Sequence, residues 1–255
     1  MKTQMIVTLC SGAMTMLAQT ALDLTTAETF SVPEVGTLLY RQRVTPGLPK
    51  DGKVPLVIFL HGLGECGDDN AAQLKHGVTN LITFADANGG AIIIVPQCPK
   101  GDKWVSVIEP EAPSHTMPAE PSPPMKLVLA LINEKIEKMP VDPDRVYVTG
   151  LSMGGYGTWD LIQRRPKLFA AALPVCGGGD LALVSVIKNI PVFMFHGAAD
   201  PVVPVARSQE MNTALKACGG NVQYREYPDA KHDSWTQTYA DPNALKWMFE
   251  QRRQK

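Results

Sequence analysis

The sequence predicts a single-domain α/β fold, in which a mostly parallel, doubly wound sheet is flanked by helices. Six runs rich in Val, Ile, Leu and Phe are spread along the chain. Such runs are typical of strands that are buried on both faces of a parallel sheet. Segments with apolar residues three and four positions apart, the pattern of amphipathic helices, lie between them. No stretch of the 255 residues reads as a linker between two cores, so one domain is favoured over two.

The predicted elements follow one another in chain order. An antiparallel edge strand, TLLYRQRV, is expected at 37–44. The buried strands are expected at 54–62, 91–98, 145–152, 171–179, 191–200 and 222–228. Helices are expected at 124–138, 155–165, 204–217 and 242–252. Because strands and helices alternate along almost the whole chain, the parallel strands should be joined by right-handed crossovers.

One segment interrupts this alternation. Residues 109–124 read EPEAPSHTMPAEPSPP, and their six prolines exclude continuous helix or strand. Loops of this length without regular structure are uncommon and often border binding sites. If the segment is functional, His115 and Met117 line a cleft. The alternative, a long solvated connector, fits the sequence equally well.

Composition and charge exclude several classes of protein. The chain is 45% hydrophobic and 19% charged, which is ample for a core and carries no signature of disorder. A net charge of -1 leaves no basic surface for nucleic acid and no polybasic attraction to anionic lipid. The expected partner is therefore a small molecule or a polymer rather than nucleic acid. The sequence leaves the oligomeric state open.

The first residues, MKTQMIVTLCSGAMTMLAQTA, are typical of a secretory signal peptide. One lysine precedes a charge-free apolar run over 5–17, which is too short to span a bilayer. We therefore expect a signal peptide at 1–21 and the folded domain at 22–255. The protein should be secreted or periplasmic, without a stable membrane anchor. The alternative is that the run forms a buried first helix or strand.

Five cysteines are present, and none has CxxC or metal-ligand spacing. Cys66 follows one predicted strand and Cys98 follows the next, so both should lie at the same edge of the sheet. Export permits disulfides, and a Cys66–Cys98 disulfide is our hypothesis. Cys176 closes another buried strand and is expected to be an inert apolar residue.

The stretch VTGLSMGGYGTW at 148–159 carries the candidate nucleophile, Ser152. The serine occupies the centre of a G-x-S-x-G motif, with a predicted strand before it and a helix after it. In that context a tight turn holds the serine at the top of an α/β sheet, and the small neighbours admit the turn. The motif alone is weak evidence, whereas strand, turn and helix in this order are more specific.

A serine hydroxyl needs a base at neutral pH, and the base needs an orienting carboxylate. The chain order for this motif is serine, acid, histidine. Asp200 and His232 each follow a predicted strand, at the strand ends where ligands meet an open α/β sheet. Asp180 is the alternative acid, but it is equally an N-cap for the segment after it.

The other histidines are weaker candidates for the base. His61 and His196 each precede a glycine at a strand end, and we expect each to make a hydrogen bond that shapes its turn. His76 is expected at a solvated helix position.

The tetrahedral intermediate of acyl transfer needs two hydrogen-bond donors aimed at its oxyanion. In this motif the residue after the serine, Met153, supplies one backbone N–H, and the loop after an earlier strand supplies the other. That loop reads HGLGE at 61–65. We assign the second donor to Leu63, with Gly62 as the next candidate.

Four stretches, LHGLGECGDDN, PQCPKGDKW, DRVYVTGLSMGGYGTWDL and HGAADPVVP, carry a family resemblance. Together they resemble the α/β-hydrolase serine esterases related to feruloyl and acetylxylan esterases and polyhydroxybutyrate depolymerases, which include small exported carboxylesterases. The resemblance covers about 55–235. It implies that Ser152, Asp200 and His232 form the family's catalytic triad. It also implies that Leu63 and Met153 are the oxyanion donors and that no metal or organic cofactor takes part.

The resemblance implies hydrolysis of carboxylic esters through an acyl-enzyme, with feruloyl or acetyl esters of plant polysaccharide as expected substrates. Trp104 and Trp235 fall in loops at the predicted catalytic edge, where a flat ring can stack on a sugar or an aryl group. Each is equally able to pack a loop onto the domain. The sequence departs from the family at two places, which leaves substrate preference open. Cys66 stands where the family commonly has arginine, and 230–231 stand where it has small residues. The alternative functions are a prolyl-oligopeptidase-like serine peptidase and a non-catalytic carbohydrate-binding relative.

Overall fold

The computed structural model describes residues 19–48, 52–107, 112 and 114–253. Within these ranges the strands are β1 (Thr26–Val32), β2 (Gly36–Val44), β3 (Val54–Leu60), β4 (Ile92–Gln97), β5 (Val141–Leu151), β6 (Ala171–Val175), β7 (Val192–Gly197) and β8 (Val222–Tyr227). The helices are α1 (Ala21–Leu24), α2 (Val78–Ala87), α3 (Pro123–Lys138), α4 (Met153–Arg164), α5 (Ala206–Ala217), α6 (Trp235–Ala240) and α7 (Pro242–Glu250). Short 3-10 turns lie at Leu63–Glu65, Ala72–Leu74 and Leu181–Ile187.

All eight strands belong to one sheet, in the order β1-β2-β4-β3-β5-β6-β7-β8. The strands from β4 to β8 in this order are parallel to their neighbours, whereas β2 is antiparallel to β4 and β1 is antiparallel to β2. The chain moves outward from β3 to β4 and then returns to place β5 on the other side of β3. This reversal is the topological switch point at which α/β sheets bind ligands. The predicted fold class is confirmed.

The antiparallel margin of the sheet differs from the prediction in one respect. The TLLYRQRV segment forms β2, but it is not the edge strand, because β1 pairs with its outer side. β1 reads TAETFSV and alternates between exposed and half-buried positions. It therefore has no apolar run that could have identified it as a strand.

Two apolar layers cover the two faces of the sheet, and β3 shows how the sequence fills both. Leu56, Ile58 and Leu60 point into the layer formed with α3, α4 and α5. Val57 and Phe59 point into the opposite layer, formed with α2 and α7. A strand that buries every residue must be apolar throughout, which explains the continuous runs. None of the helices that the structure describes is long and apolar enough to cross a membrane.

The described part of the Pro-rich segment is tied to the domain instead of projecting as a solvated connector. The Ser122 hydroxyl caps α3 by accepting a hydrogen bond from the Met125 N–H, and it donates to the Trp104 carbonyl at 2.7 Å. Arg164 donates to the Pro118 carbonyl at 2.6 Å. The segment therefore packs against the end of α4 and the loop that carries Trp104.

The predicted signal peptide at 1–21 lies almost wholly outside the described residues. The described chain opens with α1, where Thr20 is the N-cap residue. The Ala21 side chain is buried, and its N–H donates to the Thr79 hydroxyl at 3.2 Å.

Candidate active site

Ser152 sits on a strained turn between β5 and α4. Its φ of 53° and ψ of -118° lie outside the regions that side-chain-bearing residues normally occupy. The N–H of Ser152 donates to the Val175 carbonyl at 3.0 Å, so the end of β6 holds the turn from the side. Strain of this kind persists only where the surroundings fix it, and it clusters at functional sites.

The glycines on either side of Ser152 are required by close backbone packing. A Cβ on Gly150 would lie 2.7 Å from the Leu60 carbonyl oxygen, and one on Gly154 would collide with the same oxygen. The end of β3 therefore presses directly against the turn. Side chains at these two positions would push Ser152 away from the loop that follows β3.

The structure brings the predicted serine, histidine and acid into one hydrogen-bonded series. The Ser152 Oγ lies 2.9 Å from His232 Nε2, and His232 Nδ1 lies 2.8 Å from Asp200 Oδ2. Because the carboxylate only accepts, Nδ1 carries the proton and Nε2 is free to accept from the serine hydroxyl. The three residues follow β5, β7 and β8 at the carboxyl edge of the sheet.

Asp200 is a fully buried carboxylate with donors on both oxygens. Its Oδ1 accepts from the N–H groups of Val202 at 2.8 Å and Val203 at 3.0 Å, and its Oδ2 also lies 3.2 Å from His196 Nε2. Burial alone raises the pKa of this carboxyl, but the donors from His196, His232 and the backbone outweigh it. They hold the pKa of Asp200 well below its usual range, so the group stays ionised.

The alternative acid, Asp180, makes structural contacts and does not bond His232. One oxygen accepts from the Ala182 N–H at 2.9 Å and caps the 3-10 turn, as the N-cap interpretation predicted. The other oxygen accepts from the Met117 N–H at 2.9 Å. Asp180 therefore anchors the Pro-rich segment, whereas Asp200 is the carboxylate bonded to His232.

The loop after β3 presents the predicted second donor, and His61 fixes its direction. His61 Nδ1 donates to the Gly62 carbonyl at 2.6 Å, and the same carbonyl accepts from the Glu65 N–H at 3.3 Å. Since a trans peptide points its C=O and N–H to opposite sides, fixing the Gly62 oxygen also fixes the Leu63 N–H. Leu63 and Met153 each open a helical turn, so neither N–H has an acceptor within its own turn.

His61 is held as a neutral ring. Its Nε2 accepts from the Cys98 N–H at 2.9 Å, so the proton must sit on Nδ1. Burial lowers the pKa of His61 to about 4. The expectation that His61 shapes its turn by hydrogen bonding is confirmed. His196 also bonds its own turn, through the Val203 carbonyl at 3.1 Å, and it additionally contacts Asp200.

A cleft of about 190 Å³ opens beside Ser152, and its walls are mostly apolar. Lys103 contributes a charge, while the other walls come from Leu63, Val105, Val107, Tyr156, Val202 and Val203. Leu63 is 57% exposed and Val202 is 59% exposed, which is high for apolar side chains of this size. Tyr156 and Val202 were not singled out in the sequence, although the first lies one helical turn after Ser152 and the second lies two residues after Asp200.

Neither of the two tryptophans predicted as substrate walls lines this cleft. Trp104 is 0% exposed and donates its Nε1–H to the His61 carbonyl at 3.1 Å, so it packs the loop after β3 onto the domain and does not face the cleft. Trp235 packs edge-on against the His232 ring, with the ring centroids 5.1 Å apart. His115, expected to line the cleft, is not among its lining residues, and the centroid of its ring lies 5.7 Å from that of Tyr156.

The four cysteines within the described residues are free thiols. Cys66 and Cys98 follow β3 and β4 at one edge of the sheet, as predicted, but both are free and the hypothesised disulfide is absent. The Cys176 sulfur lies within 4.8 Å of ligand atoms of Asp200 and His232. Burial raises the pKa of Cys176 to about 12, so its thiol stays protonated and is a poor metal ligand.

A serine on a strand-turn-helix elbow, bonded to a histidine and an acid that follow it in the chain, is the arrangement by which α/β-hydrolases are recognised. Here it lies at the carboxyl edge of a mostly parallel sheet, next to the switch point. The fold and the site therefore define an α/β-hydrolase of the serine-hydrolase type.

Comparison with known proteins gives the family. Residues 47–243 match the family of α/β-hydrolases described as Phospholipase/Carboxylesterase, and the chain belongs to it. A thermostable esterase of known structure is 39% identical, with a TM-score of 0.82 over 91% of this chain and 64% of that one.

Two sequence relatives carry esterase names. The putative esterase NocK of Nocardia uniformis subsp. tsuyamanensis is 31% identical over 71% of this chain and 51% of its own length. Feruloyl esterase B of Thermothelomyces thermophilus is 28% identical over 50% of this chain and 40% of its own length. The chain thus spans about half or less of these two relatives.

Proposed function

We propose that this protein hydrolyses carboxylic esters through a covalent acyl-enzyme on Ser152. The observation that carries the proposal is the series Ser152 Oγ, His232 and Asp200, joined at 2.9 and 2.8 Å around a serine with positive φ. Membership of a carboxylesterase family supports the same reaction.

In the first half-reaction, the Ser152 oxygen attacks the ester carbonyl and its proton passes to His232 Nε2. The carbonyl oxygen becomes an oxyanion and accepts from the N–H groups of Leu63 and Met153. As the intermediate collapses, His232 returns the proton to the departing alcohol oxygen. Asp200 stays ionised throughout and stabilises the imidazolium that forms on His232.

In the second half-reaction, a water molecule takes the place of the alcohol. His232 accepts its proton, the hydroxide oxygen attacks the acyl carbonyl, and the second oxyanion uses the same two donors. Collapse returns the proton to Ser152 and releases the carboxylic acid. Each proton that leaves an oxygen returns to one, so no cofactor is required for the balance.

The walls of the cleft support an apolar or aryl acyl group as the preferred substrate. Leu63, Val105, Val202 and Tyr156 offer apolar contact, and Tyr156 offers an aromatic face. A feruloyl group matches these walls better than an acetyl group, which would leave most of the cleft unfilled. The proposal includes secretion of the protein. The signal-like N-terminal sequence and a plant-polysaccharide ester as substrate both agree with it.

The test is a substrate panel with the parent protein and Ser152→Ala. We expect the parent to hydrolyse aryl acetates and feruloyl esters, with a higher kcat/KM for feruloyl than for acetyl on the same alcohol. Ser152→Ala should lose at least about a thousandfold in kcat. Equal turnover by Ser152→Ala would refute the assignment of the nucleophile. Hydrolysis of peptides in preference to esters would favour the peptidase alternative.

A further inference from the structure

The proposed mechanism gives no role to two polar residues close to the site, Glu65 and His76. Glu65 ends the 3-10 turn of the loop after β3, and its side chain is only 9% exposed. Its Oε1 lies 3.4 Å from His76 Nε2. His76, expected at a solvated helix position, lies instead half-buried in the turn before α2. Removing a carboxylate from water is costly unless partners compensate it, so this pair calls for an explanation.

The Glu65 carboxylate reaches the peptide that carries the oxyanion donor. A Cβ placed on Gly62 would lie 3.0 Å from Glu65 Oε2 and 3.6 Å from the Ser152 Cβ. The carboxylate therefore covers Gly62 on the side that faces the serine turn. Gly62 and Leu63 share one planar peptide, so the carboxylate packs beside the residue whose carbonyl orients the Leu63 N–H.

His76 extends this contact to the base. The centroids of the His76 and Trp235 rings are 5.4 Å apart, and those of Trp235 and His232 are 5.1 Å apart with the ring planes perpendicular. Edge-to-face packing of this kind restrains the orientation of a ring. Contacts thus run without a gap from Glu65 through His76 and Trp235 to His232.

We propose that Glu65 and His76 are positioning residues that join the oxyanion loop to His232 through Trp235. The inference rests on the proposed function. The loop follows β3 and His232 follows β8, and these strands are not neighbours in the sheet. No hydrogen-bond ladder joins these two strands directly, so contacts between the loops also bear on the distance between donor and base. A reacting carbonyl must meet both at once, and small displacements of such groups are expensive in rate.

The test compares Glu65→Gln, which keeps the shape and removes the charge, with the parent on an aryl acetate. We expect kcat to fall by about tenfold or more with KM within about twofold, because the loss falls on the transition state. The unfolding midpoint should not change. Glu250→Gln is the matched control, because it removes the charge from an exposed ion pair with Lys246 on α7. It should leave kcat and KM as they are.

A double variant tests whether the two residues act through one another. Glu65→Gln with His76→Gln should lose no more kcat than the worse single variant, since both changes break the same contact. Additive losses would overturn the proposal, as would a kcat within about twofold of the parent in Glu65→Gln. Titrating the reactive serines with a fluorophosphonate separates slow turnover from a loss of folded protein. If the fall in kcat is explained wholly by fewer reactive serines, the proposal is overturned.

Ser152→Ala, assayed alongside, separates this inference from the function on which it rests. If the parent is inactive, or if Ser152→Ala retains full activity, the proposed function fails. If the parent is active, Ser152→Ala is inactive and Glu65→Gln is unaffected, only the positioning role fails.

Discussion

Replacing Asp200 by asparagine tests the proposed mechanism most sharply, because the structure dictates how the new amide must lie. The N–H groups of Val202 and Val203 both point at Oδ1, so the amide oxygen has to take that position. The amide NH2 then takes the position of Oδ2 and faces His232 Nδ1. An NH2 only donates, so Nδ1 must accept and the ring proton moves to Nε2.

The magnitude follows from that change of tautomer. With the proton on Nε2, His232 donates to Ser152 and can no longer act as its base. A triad locked in the wrong tautomer loses about 10⁴ in kcat, or about 5 kcal/mol of transition-state stabilisation. The NH2 also faces His196, because the Oδ2 that it replaces lies 3.2 Å from His196 Nε2 in the parent. One buried donor is left without an acceptor, which should cost about 1–3 kcal/mol of stability.

The assay is steady-state hydrolysis of an aryl acetate at pH 7, with urea unfolding of the same samples. Asp180→Asn is the control. Its side chain accepts from two N–H groups and an amide can satisfy only one of them, so it should lose about 1 kcal/mol of stability. Its kcat should stay within about threefold of the parent, because it does not bond His232. A loss below about tenfold in Asp200→Asn, or equal losses in both variants, would refute the reasoning.

Two further predictions concern stability. Since the pKa of His61 is about 4 in the folded chain and about 6.5 in the unfolded one, its contribution is complete above pH 6.5 and is lost as the pH falls towards 4. In urea unfolding, the parent should lose up to about 3 kcal/mol more stability between pH 7 and pH 4 than His61→Gln loses over the same range. Gly154→Ala should lose about 3 kcal/mol or more, because its Cβ would collide with the Leu60 carbonyl. Gly64→Ala, with nothing within 4 Å, should stay within about 0.5 kcal/mol of the parent, and comparable losses in the two glycine variants would contradict the packing argument.

The sequence predicted the parts of the molecule whose pattern is local. The buried strands announce themselves because both of their faces are apolar, and the serine motif lies between a strand and a helix that are contiguous with it. β1 was missed because an edge strand with one solvent-exposed face has no continuous apolar run. The alternation of its exposure is visible only once β2 pairs with it.

Side-chain orientation was beyond the sequence at two positions. Trp104 lies at the predicted edge, but the His61 carbonyl needs a donor and the indole supplies it, so the ring turns into the core. His76 looks polar and solvated in the sequence, but it is half-buried against Glu65 and against Trp235, which is distant in the chain. Both outcomes depend on long-range partners that no local pattern carries.

The position of His232 depends on a glycine far from it in sequence. β8 lies three strands away from β5 in the sheet, so the loop that carries His232 must cross the ends of β7 and β6 to reach Ser152. It crosses β7 at Gly197, where a Cβ would collide with the carbonyls of Ala230 and Lys231. Those two residues approach through their backbone and the Lys231 side chain stays exposed, so neither needs to be glycine. The small residue that this crossing requires is therefore Gly197, at the end of β7 beneath the loop. This explains how 230–231 can differ from the small residues common in the family.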